Sequence, residues 1–438
     1  IVLNHIRDNL HDAHWREVLL LLIAQQKPKK AAKAMRAILA ANSEYEEWLH
    51  RDLFFAGNCL AENIKELKVV DSSLTLEILD KLVELEVRGE EQVGDQVRYQ
   101  VAQILWSMNE TEFEAQTLQL LKAKGVDENR LWRYQVALGE KEAAISFLLL
   151  RLEDEKKDVR REAARALGGL GNASETVIEA LLLRLQDGDN FVRRMAARAL
   201  GKLGNASEAV INSLLLRLED GDNSVRARAL EALGNLGNAS EVVISTLLLH
   251  LEDGDNSVRA SAAGALGWLG NASEAVISNL LLRLEDGDNS VRARAAQALG
   301  KLGNASESVI SALLLRLEDG HENVRGWAAD ALGNLGNASK SVITALLLRL
   351  EDDDNSVRRE ATEALGKLGN ASEFVISALL LRLEDEDEWV RSDAVEALGK
   401  LGLKSSEVLP AVVQWIDRHQ DTPYVGSGID VLWDLVAS

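Results

Sequence analysis

A 33-residue unit repeats through this chain with no insertion, read most cleanly from Leu214 to Thr246 as LLLRLEDGDNSVRARALEALGNLGNASEVVIST. The Val-Arg pair inside it occurs eight times, from Val159-Arg160 through Val225-Arg226 to Val390-Arg391, always 33 residues apart. A fixed period of this size means stacked supersecondary units, each too small to bury its own apolar face. The chain is thereby restricted to an elongated stack in which every unit completes its neighbours.

Each unit reads as two helices. In the copy at Val225, Asp222 stands where an N-cap acceptor is wanted, ahead of Asn223 and Ser224. Apolar residues follow at Val225, Ala229, Leu233 and Leu236, which is one helical face. Gly237 then stops the helix, because glycine takes a positive φ without a Cβ clash. Ser240 is expected to cap a second helix, whose run Val243, Ile244, Leu247, Leu248 and Leu249 is apolar enough to be buried between neighbours. Nothing alternates with a period of two, so strands are not expected. At roughly 8–10 Å per helix layer, the copies make a surface about 80 Å long. That shape suits holding a partner more than enclosing a small substrate.

The bulk numbers agree. Only three prolines (Pro28, Pro410, Pro423) occur in 438 residues, and 47% of the chain is hydrophobic but only 4% aromatic, as an all-helical protein rich in Leu and Ala requires. A net charge of −21 argues against a nucleic-acid partner and against an anionic membrane surface. One cysteine, Cys59, excludes an internal disulfide and suits a reducing, cytoplasmic compartment. No apolar run approaches the roughly 20 residues that span a bilayer, and no signal peptide is read. The chain begins at Ile1 without a methionine, which fits a piece of something longer.

Residues 1–140 are read as helical but irregular, with helices at His14–Gln26, Lys29–Asn42, Tyr45–Glu62, Leu74–Val87 and Asp95–Met108. Val97-Arg98, with Val101, Ile104 and Leu105 behind it, reads as a degenerate copy of the unit. The expected organisation is an irregular segment over 1–70, degenerate helical pairs over 71–140, regular repeats over 141–402 and a capping repeat over 403–438. In that last part Pro410 interrupts the leucine run and Ile429–Val436 forms a terminal helix carrying Trp433. Atypical ends are what a stack needs to shield its last apolar faces.

The pattern D-x-x-V-R-x-x-A-A-x-A-L-G-x-L-G resembles short HEAT repeats of the bacterial, phycobilin-lyase-like type across about 141–402. The resemblance implies an all-α, right-handed superhelical α/α solenoid. Trp15-Arg16-Glu17-Val18 running into Leu19–Leu22, and Leu49-His50-Arg51-Asp52-Leu53, resemble the helical region after the nucleotide-binding core of bacterial STAND/NACHT ATPases. In that family a HEAT array often forms the C-terminal sensor. No G-x-x-x-x-G-K-[ST] occurs in this chain, so the ATPase core itself is expected upstream.

Several motifs invite a chemical reading and each has a plainer one. Asn-Ala-Ser occurs seven times from Asn172 to Asn370 and matches a glycosylation sequon, but it reads as an inter-helix turn with a capping serine. Asp220–Asn223 and its equivalents resemble Ca²⁺ loops but lack a bidentate Glu at the required spacing, so capping is preferred. His11 and His14 share a helical face without a third ligand, and no metal is expected. Cys59 reads as core. No nucleophile–base constellation stands out, so the chain reads as non-enzymatic, with no cofactor.

The informative signal is where the copies differ. The second helix hardly changes, whereas differences in the first fall at −1, +2, +3, +6 and +10 from the valine. At 100° per residue these positions share one arc opposite the core stripe. The stripe carries Phe191, Arg194, Met195 and Arg198, then Arg228, Trp268, Arg294, Trp327, Arg359 and Trp389, which are the candidate partner-binding residues. Its forty positions hold eleven basic and eight acidic residues, a surplus of three positive charges in a chain of −21. The positive charge lies toward the first copies and the acid toward the last. Exposed aromatics anchor interfaces, which points to a protein or peptide ligand. Small residues beside Trp268 and Trp327, with Gly264 and Gly326 inside helices, suggest a socket there. In related short HEAT arrays this stripe is the concave surface, as the resemblance implies. The arginine at +1 is present in all eight copies and reads as a structural ladder, paired to an Asp of an adjacent turn.

The sequence therefore reads as a protein-recognition solenoid, the sensor part of a STAND/NACHT-type ATPase. Two alternatives stand beside it. One is a bilin-lyase-like HEAT subunit or chaperone in which Trp268 and Trp327 line a tetrapyrrole site. The other is a nucleic-acid-binding HEAT array using the arginines of copies one and two, with strongly salt-dependent binding.

Overall fold

A computed structural model describes Leu10, residues 12–88 and residues 93–437, and His11 lies outside the described residues. Among them there are helices and turns and no strand. The chain divides into two compact units, residues 1–153 and 154–438.

The leading unit holds α1 (Ala13–Ala24), α2 (Pro28–Leu39), α3 (Glu46–Leu49), α4 (Arg51–Ala61), α5 (Leu67–Val70), α6 (Ser72–Val87), α7 (Asp95–Trp106), α8 (Glu114–Ala123), α9 (Glu128–Ala137) and α10 (Lys141–Arg151). Its core gathers large side chains such as Leu19, Met35, Phe55, Leu60, Leu82 and Phe113, with Cys59 fully buried among them. The single helix expected over Tyr45–Glu62 is two. Tyr45 and His50 both take left-handed φ, and the Glu46 carboxylate accepts from the N–H groups of Asp52 and Leu53 at 2.8 and 3.2 Å. A side chain from α3 thus supplies the cap of α4, a geometry in which the chain turns rather than continues.

The second unit is the array. Its Val-Arg helices are α11 (Lys157–Leu170), α13 (Asn190–Leu203), α15 (Asn223–Leu236), α17 (Asn256–Leu269), α19 (Asn289–Leu302), α21 (Glu322–Leu335), α23 (Asn355–Leu368) and α25 (Glu388–Gly402). They alternate with α12 (Glu175–Arg184), α14 (Glu208–Leu216), α16 (Glu241–His250), α18 (Glu274–Arg283), α20 (Glu307–Arg316), α22 (Lys340–Arg349), α24 (Glu373–Arg382) and α26 (Val408–Arg418), and α27 (Val425–Ala437) follows.

Turn chemistry fixes the boundaries. Asp222 accepts from Ser224 and Val225 N–H, and Asp189, Asp255, Asp288, Asp354 and Asp387 do the same in their copies. His321 takes this place in copy six, its Nδ1 accepting from Asn323 N–H at 3.3 Å. The first seven of these helices end on glycines such as Gly237, at φ 69, and the eighth runs on to Leu403. The expected serine caps work differently. Ser240 occupies the N-cap without a side-chain bond, and Asn238 Oδ1 accepts the Ser240 N–H at 3.0 Å. The asparagine side chain therefore builds the turn, in all seven Asn-Ala-Ser segments.

Two kinds of contact join one unit to the next. The first is steric. A Cβ on Gly300 would lie 2.6 Å from the Ala331 Cα, and the same gap of 2.7–2.9 Å recurs from Gly168 to Gly366. Consecutive Val-Arg helices thus approach backbone to backbone. The second is polar. Seven of the +1 arginines, Arg160 to Arg358, reach the aspartate 27 residues ahead; Arg193, for example, bonds Asp220 through Nε and Nη2, both at 2.8 Å. The ladder expected from sequence is present, and it stops at Arg391, which bonds the carbonyls of Asp385 and Glu386 instead. Burial pushes Asp220 up, but the Arg193 hydrogen bond and the Asp222 N–H outweigh it and hold the carboxyl below the usual range.

The second helices meet one another far less than the Val-Arg helices do. The Val-Arg helices are thus the more tightly spaced of the two layers.

Candidate functional site

The variable positions of the Val-Arg helices lie on one side of the array but not all at its surface. Alanines at +2, such as Ala260 and Ala293, are buried, because the Gly–Ala seams bring neighbouring helices over them. Met195 is only 6% exposed, so its side chain supports the stripe from beneath and is not offered to a partner. Arg198 and Arg294 are exposed, and Arg194, Arg228, Trp327 and Arg359 are half-buried. Among the large apolar residues, Phe191 is 43% exposed, Trp268 39% and Trp389 60%.

Each of those three aromatics has a cation over its ring. Arg194 Cζ stands 5.0 Å from the Phe191 centroid, Lys301 Nζ 5.3 Å from Trp268 and Arg359 Cζ 5.8 Å from Trp389. These pairs hold the rings in fixed orientations while leaving much of each ring open.

One depression interrupts the stripe, of about 570 Å³, spanning α15, α17 and α19. Ala260, Ser261 and Gly264 form its floor, with Trp268, Arg228 and Arg294 at its sides. Trp268 sits against Gly234, where a Cβ would meet its Cε3 at 3.0 Å. A Cβ on Gly264 would meet only Arg294 Cδ, at 3.9 Å, so the glycine keeps the floor low without being forced by packing. Arg228 pairs with Glu231, Ser261 Oγ donates to Glu231 at 3.4 Å, and Arg294 Nη1 donates to Gln297 at 2.8 Å. The depression also takes in Glu231, one of the acids of the variable stripe, and Asn256 and Asp288, which sequence reading left out. Asn256 Nδ2 donates to Asp288 Oδ2 at 2.5 Å, so residues of the capping turns reach the stripe.

Trp327 is not part of this depression. The Gly326 beside it is overlain by Glu360, whose Cγ would lie 3.7 Å from an added Cβ. The socket anticipated around both tryptophans is a depression at Trp268 that Trp327 does not line. Around Glu360 the stripe is acidic. Burial, then the neighbouring Asp330 and Glu363 carboxylates, push Glu360 up to about 7, against Lys367 and Arg359. Lys367 Nζ bonds Asp330 and Glu363 at 2.8 and 3.0 Å, and Arg359 bonds Asp393 at 2.9 Å. At the other end, Arg161 pairs with Asp158 and Arg165 with Glu162. Among the described residues no group of three His, Cys, Asp or Glu is arranged to hold a metal ion, and no helix is long and apolar enough to cross a membrane.

No curated protein matches this sequence. Among solved structures, yeast importin-beta aligns over 99% of this chain and 65% of its own, at 14% identity and a TM-score of 0.64. E. coli YibA aligns over 64% of this chain and 97% of its own, at 22% identity and 0.45. The CpcE–CpcF complex of the Nostoc phycocyanin lyase aligns over 60% of this chain and 97% of that chain, at 24% identity and 0.39. At these identities the importin-beta likeness is one of fold: an all-helical solenoid. The HEAT-repeat family pattern matches residues 145–220, 211–281, 277–366 and 343–430, and the chain belongs to the HEAT-repeat family.

Proposed function

We propose that the stripe of the Val-Arg helices is a non-enzymatic recognition surface for an extended protein or peptide ligand. The observation that carries this reading is the depression at Trp268, with its glycine floor and flanking arginines, on the one face where the repeat copies diverge. The ligand it fits places an apolar side chain against Trp268. It runs with acidic groups toward Arg161, Arg165, Arg194 and Arg198, and basic groups toward Asp330, Glu360 and Glu363. The chain is the sensor part of a cytoplasmic STAND/NACHT-type ATPase with its core upstream, a reading that rests on the helical signatures at Trp15–Val18 and Leu49–Leu53. A tetrapyrrole site using Trp268 and Trp327 together is disfavoured, because Trp327 does not line the depression.

The test uses peptides selected from a random library on the parent chain. Trp268→Ala and Gly264→Arg are each expected to weaken their binding by about 2 kcal/mol or more, with circular dichroism and melting temperature nearly unchanged. If both variants bind as the parent does while charge reversal at Arg194 and Arg198 abolishes binding, the centre lies at copies one and two and this reading fails. A G-x-x-x-x-G-K-[ST] segment upstream in the same reading frame is the expectation for the ATPase link; a reading frame without it removes that link.

A further inference from the structure

The run of three leucines in each second helix was expected to be buried. Its first leucine is, its second is half-buried, and its third is not: from Leu183 to Leu381, every 33rd residue is a leucine 58–74% exposed. These seven side chains form a row on α12, α14, α16, α18, α20, α22 and α24, on the layer away from the Val-Arg helices. Core packing does not require them, since the leucines two before and two after each, such as Leu247 and Leu251, are the buried ones. Two other exposed positions of these otherwise uniform helices do change. Seven residues before each leucine stand Thr, Ala, Val, Ser or Phe, and four before stand Glu, Asn, Ser or Thr. A large apolar residue kept at an exposed position in every copy, while its exposed neighbours change, marks an interaction surface.

The row has a charged border of one sign. Three residues after the leucine comes an acid in six of the seven copies, and among the described residues Glu219, Glu252, Glu285, Glu318 and Glu351 have no ion-pair or side-chain hydrogen-bond partner. The adjacent arginines do not neutralise them. Arg217, Arg283, Arg316, Arg349 and Arg382 turn back to the leucine carbonyl 32 residues earlier, at 2.7–3.1 Å. The surface is thus a line of leucines beside a line of unpaired carboxylates. A second copy of this chain would bring acid against acid, and an anionic bilayer would be repelled for the same reason.

The spacing selects the occupant further. The second helices are less closely packed on one another than the Val-Arg helices, which places them at the upper end of the usual interhelical separation of 8–10 Å, close to the roughly 10.5 Å rise of seven residues of α-helix. We infer that the leucine row docks a basic amphipathic helix of a partner protein, with apolar residues at heptad spacing on the leucines and Lys or Arg along the glutamates. This surface is separate from the Trp268 depression and does not depend on the function proposed for it.

The experiment uses the full chain and a synthetic helical peptide of about 28 residues, four heptads, with leucine at one heptad position and lysines beside it. Two controls accompany it: the same composition with leucines off the heptad spacing, and the heptad peptide with Lys replaced by Glu. Fluorescence anisotropy is expected to show binding of the heptad peptide alone. Leu249→Glu with Leu282→Glu and Leu315→Glu should weaken it at least about tenfold, with the helical spectrum and melting temperature retained. The corresponding triple serine variant repeats the measurement without added charge, and Trp268→Ala should bind as the parent does. The inference is overturned by any of these results: no binding of the heptad peptide by the parent at about 100 µM; equal binding of the off-spacing peptide; full binding by the triple serine variant; or a leucine-dependent dimer in sedimentation or leucine-dependent capture by anionic vesicles in place of peptide binding.

Discussion

The leading unit and the repeat array are built from the same kind of element and held by different kinds of contact. In the leading unit the largest fully buried side chains are Tyr134, Phe113, Leu19, Ile23 and Met35, each meeting a different set of neighbours. Among its described residues six non-glycines, including Asn42, Tyr45, His50 and Glu66, take left-handed φ at its turns. Among the described residues of the array only glycines do so. Its Val-Arg helices meet through alanine and glycine, and its polar contacts are copied from unit to unit, the Arg–Asp rung seven times. The difference is one of redundancy. A contact in the array joins nearest neighbours only and is repeated elsewhere, so its loss is felt locally, whereas each contact of the leading unit is singular.

The sharpest way to break this comparison is to add one methyl group in each region. At Gly300 the new Cβ would meet the Ala331 Cα at 2.6 Å, and a backbone atom cannot rotate away. At Gly57 it would meet the Ile104 Cγ2 at 2.8 Å and the Leu82 Cδ1 at 3.0 Å, which are side-chain methyls. Gly300→Ala should cost about 3 kcal/mol, at the upper end of overpacking, and Gly57→Ala about 1 kcal/mol. Native-state hydrogen exchange should show the Gly300→Ala loss concentrated in α19 and α21. If the two substitutions lower stability equally, backbone contact is not what spaces the array.

The ladder offers a second, smaller effect with an internal control. Arg259 bonds Asp286 at 2.8 and 2.9 Å, and both side chains are largely buried. Arg259→Ala leaves that aspartate without its partner and should cost about 2–3 kcal/mol, less than a fully buried pair. Arg391 ends the series on two carbonyls, and Arg391→Ala should cost about 1 kcal/mol. Peptide binding at Trp268 should be unchanged in both. The rung aspartates are held below their unfolded value, so their contribution is present above that value, about pH 4, and is lost as pH falls through the folded one. Thermal melting from pH 7 down to 3 should therefore show the parent losing more stability than Arg259→Ala, which has one rung fewer to protonate.

Much of this was legible in the sequence, for reasons that can be named. The period, the Asp222-type caps, Gly237 and the +1 arginine each depend on residues within one or two units, and the sequence displays those relations directly. Three consecutive leucines carry no direction, so Leu247, Leu248 and Leu249 looked alike until the helix faces were known. Met195 and Ala260 sat at variable positions and read as exposed; their burial follows from how closely Gly–Ala seams draw the next helix, which is a tertiary distance. The break at His50 was hidden because neither Tyr45 nor His50 advertises a left-handed turn in the way glycine does. The Trp268 depression was half legible: its tryptophan and glycine stood out, whereas Asn256 and Asp288 come from turns assigned wholly to capping.

The smallest effect sets one glutamate of each region against the other, Glu86 buried and Glu360 half-buried. Glu86 in the leading unit is pushed up by burial, and is opposed by the positive charge of Arg130, 3.2 Å away, and by a hydrogen bond from Tyr134. Glu360 in the array is pushed up to about 7 by burial and by like charge from Asp330 and Glu363. A carboxyl that holds its proton more tightly folded than unfolded makes the folded state less stable as pH rises from the ordinary value of 4.5 to about 7, and no further above it. Removing the charge should then have the same sign and different sizes in the two places. Glu86→Gln removes a burial cost but also takes the counter-charge from Arg130, so its gain in melting temperature at neutral pH should be the smaller of the two. Glu360→Gln should raise stability at pH 8 by about 0.5–1 kcal/mol, the displacement being discounted for solvent screening of a part-exposed group, and leave it nearly unchanged below pH 4.5, because the parent is already neutral there. Melting curves of the parent and both variants at pH 4, 6 and 8 would read this out. A Glu360→Gln gain that does not grow with pH would mean Lys367 and Arg359 already neutralise the site, leaving no excess of negative charge at that end of the stripe.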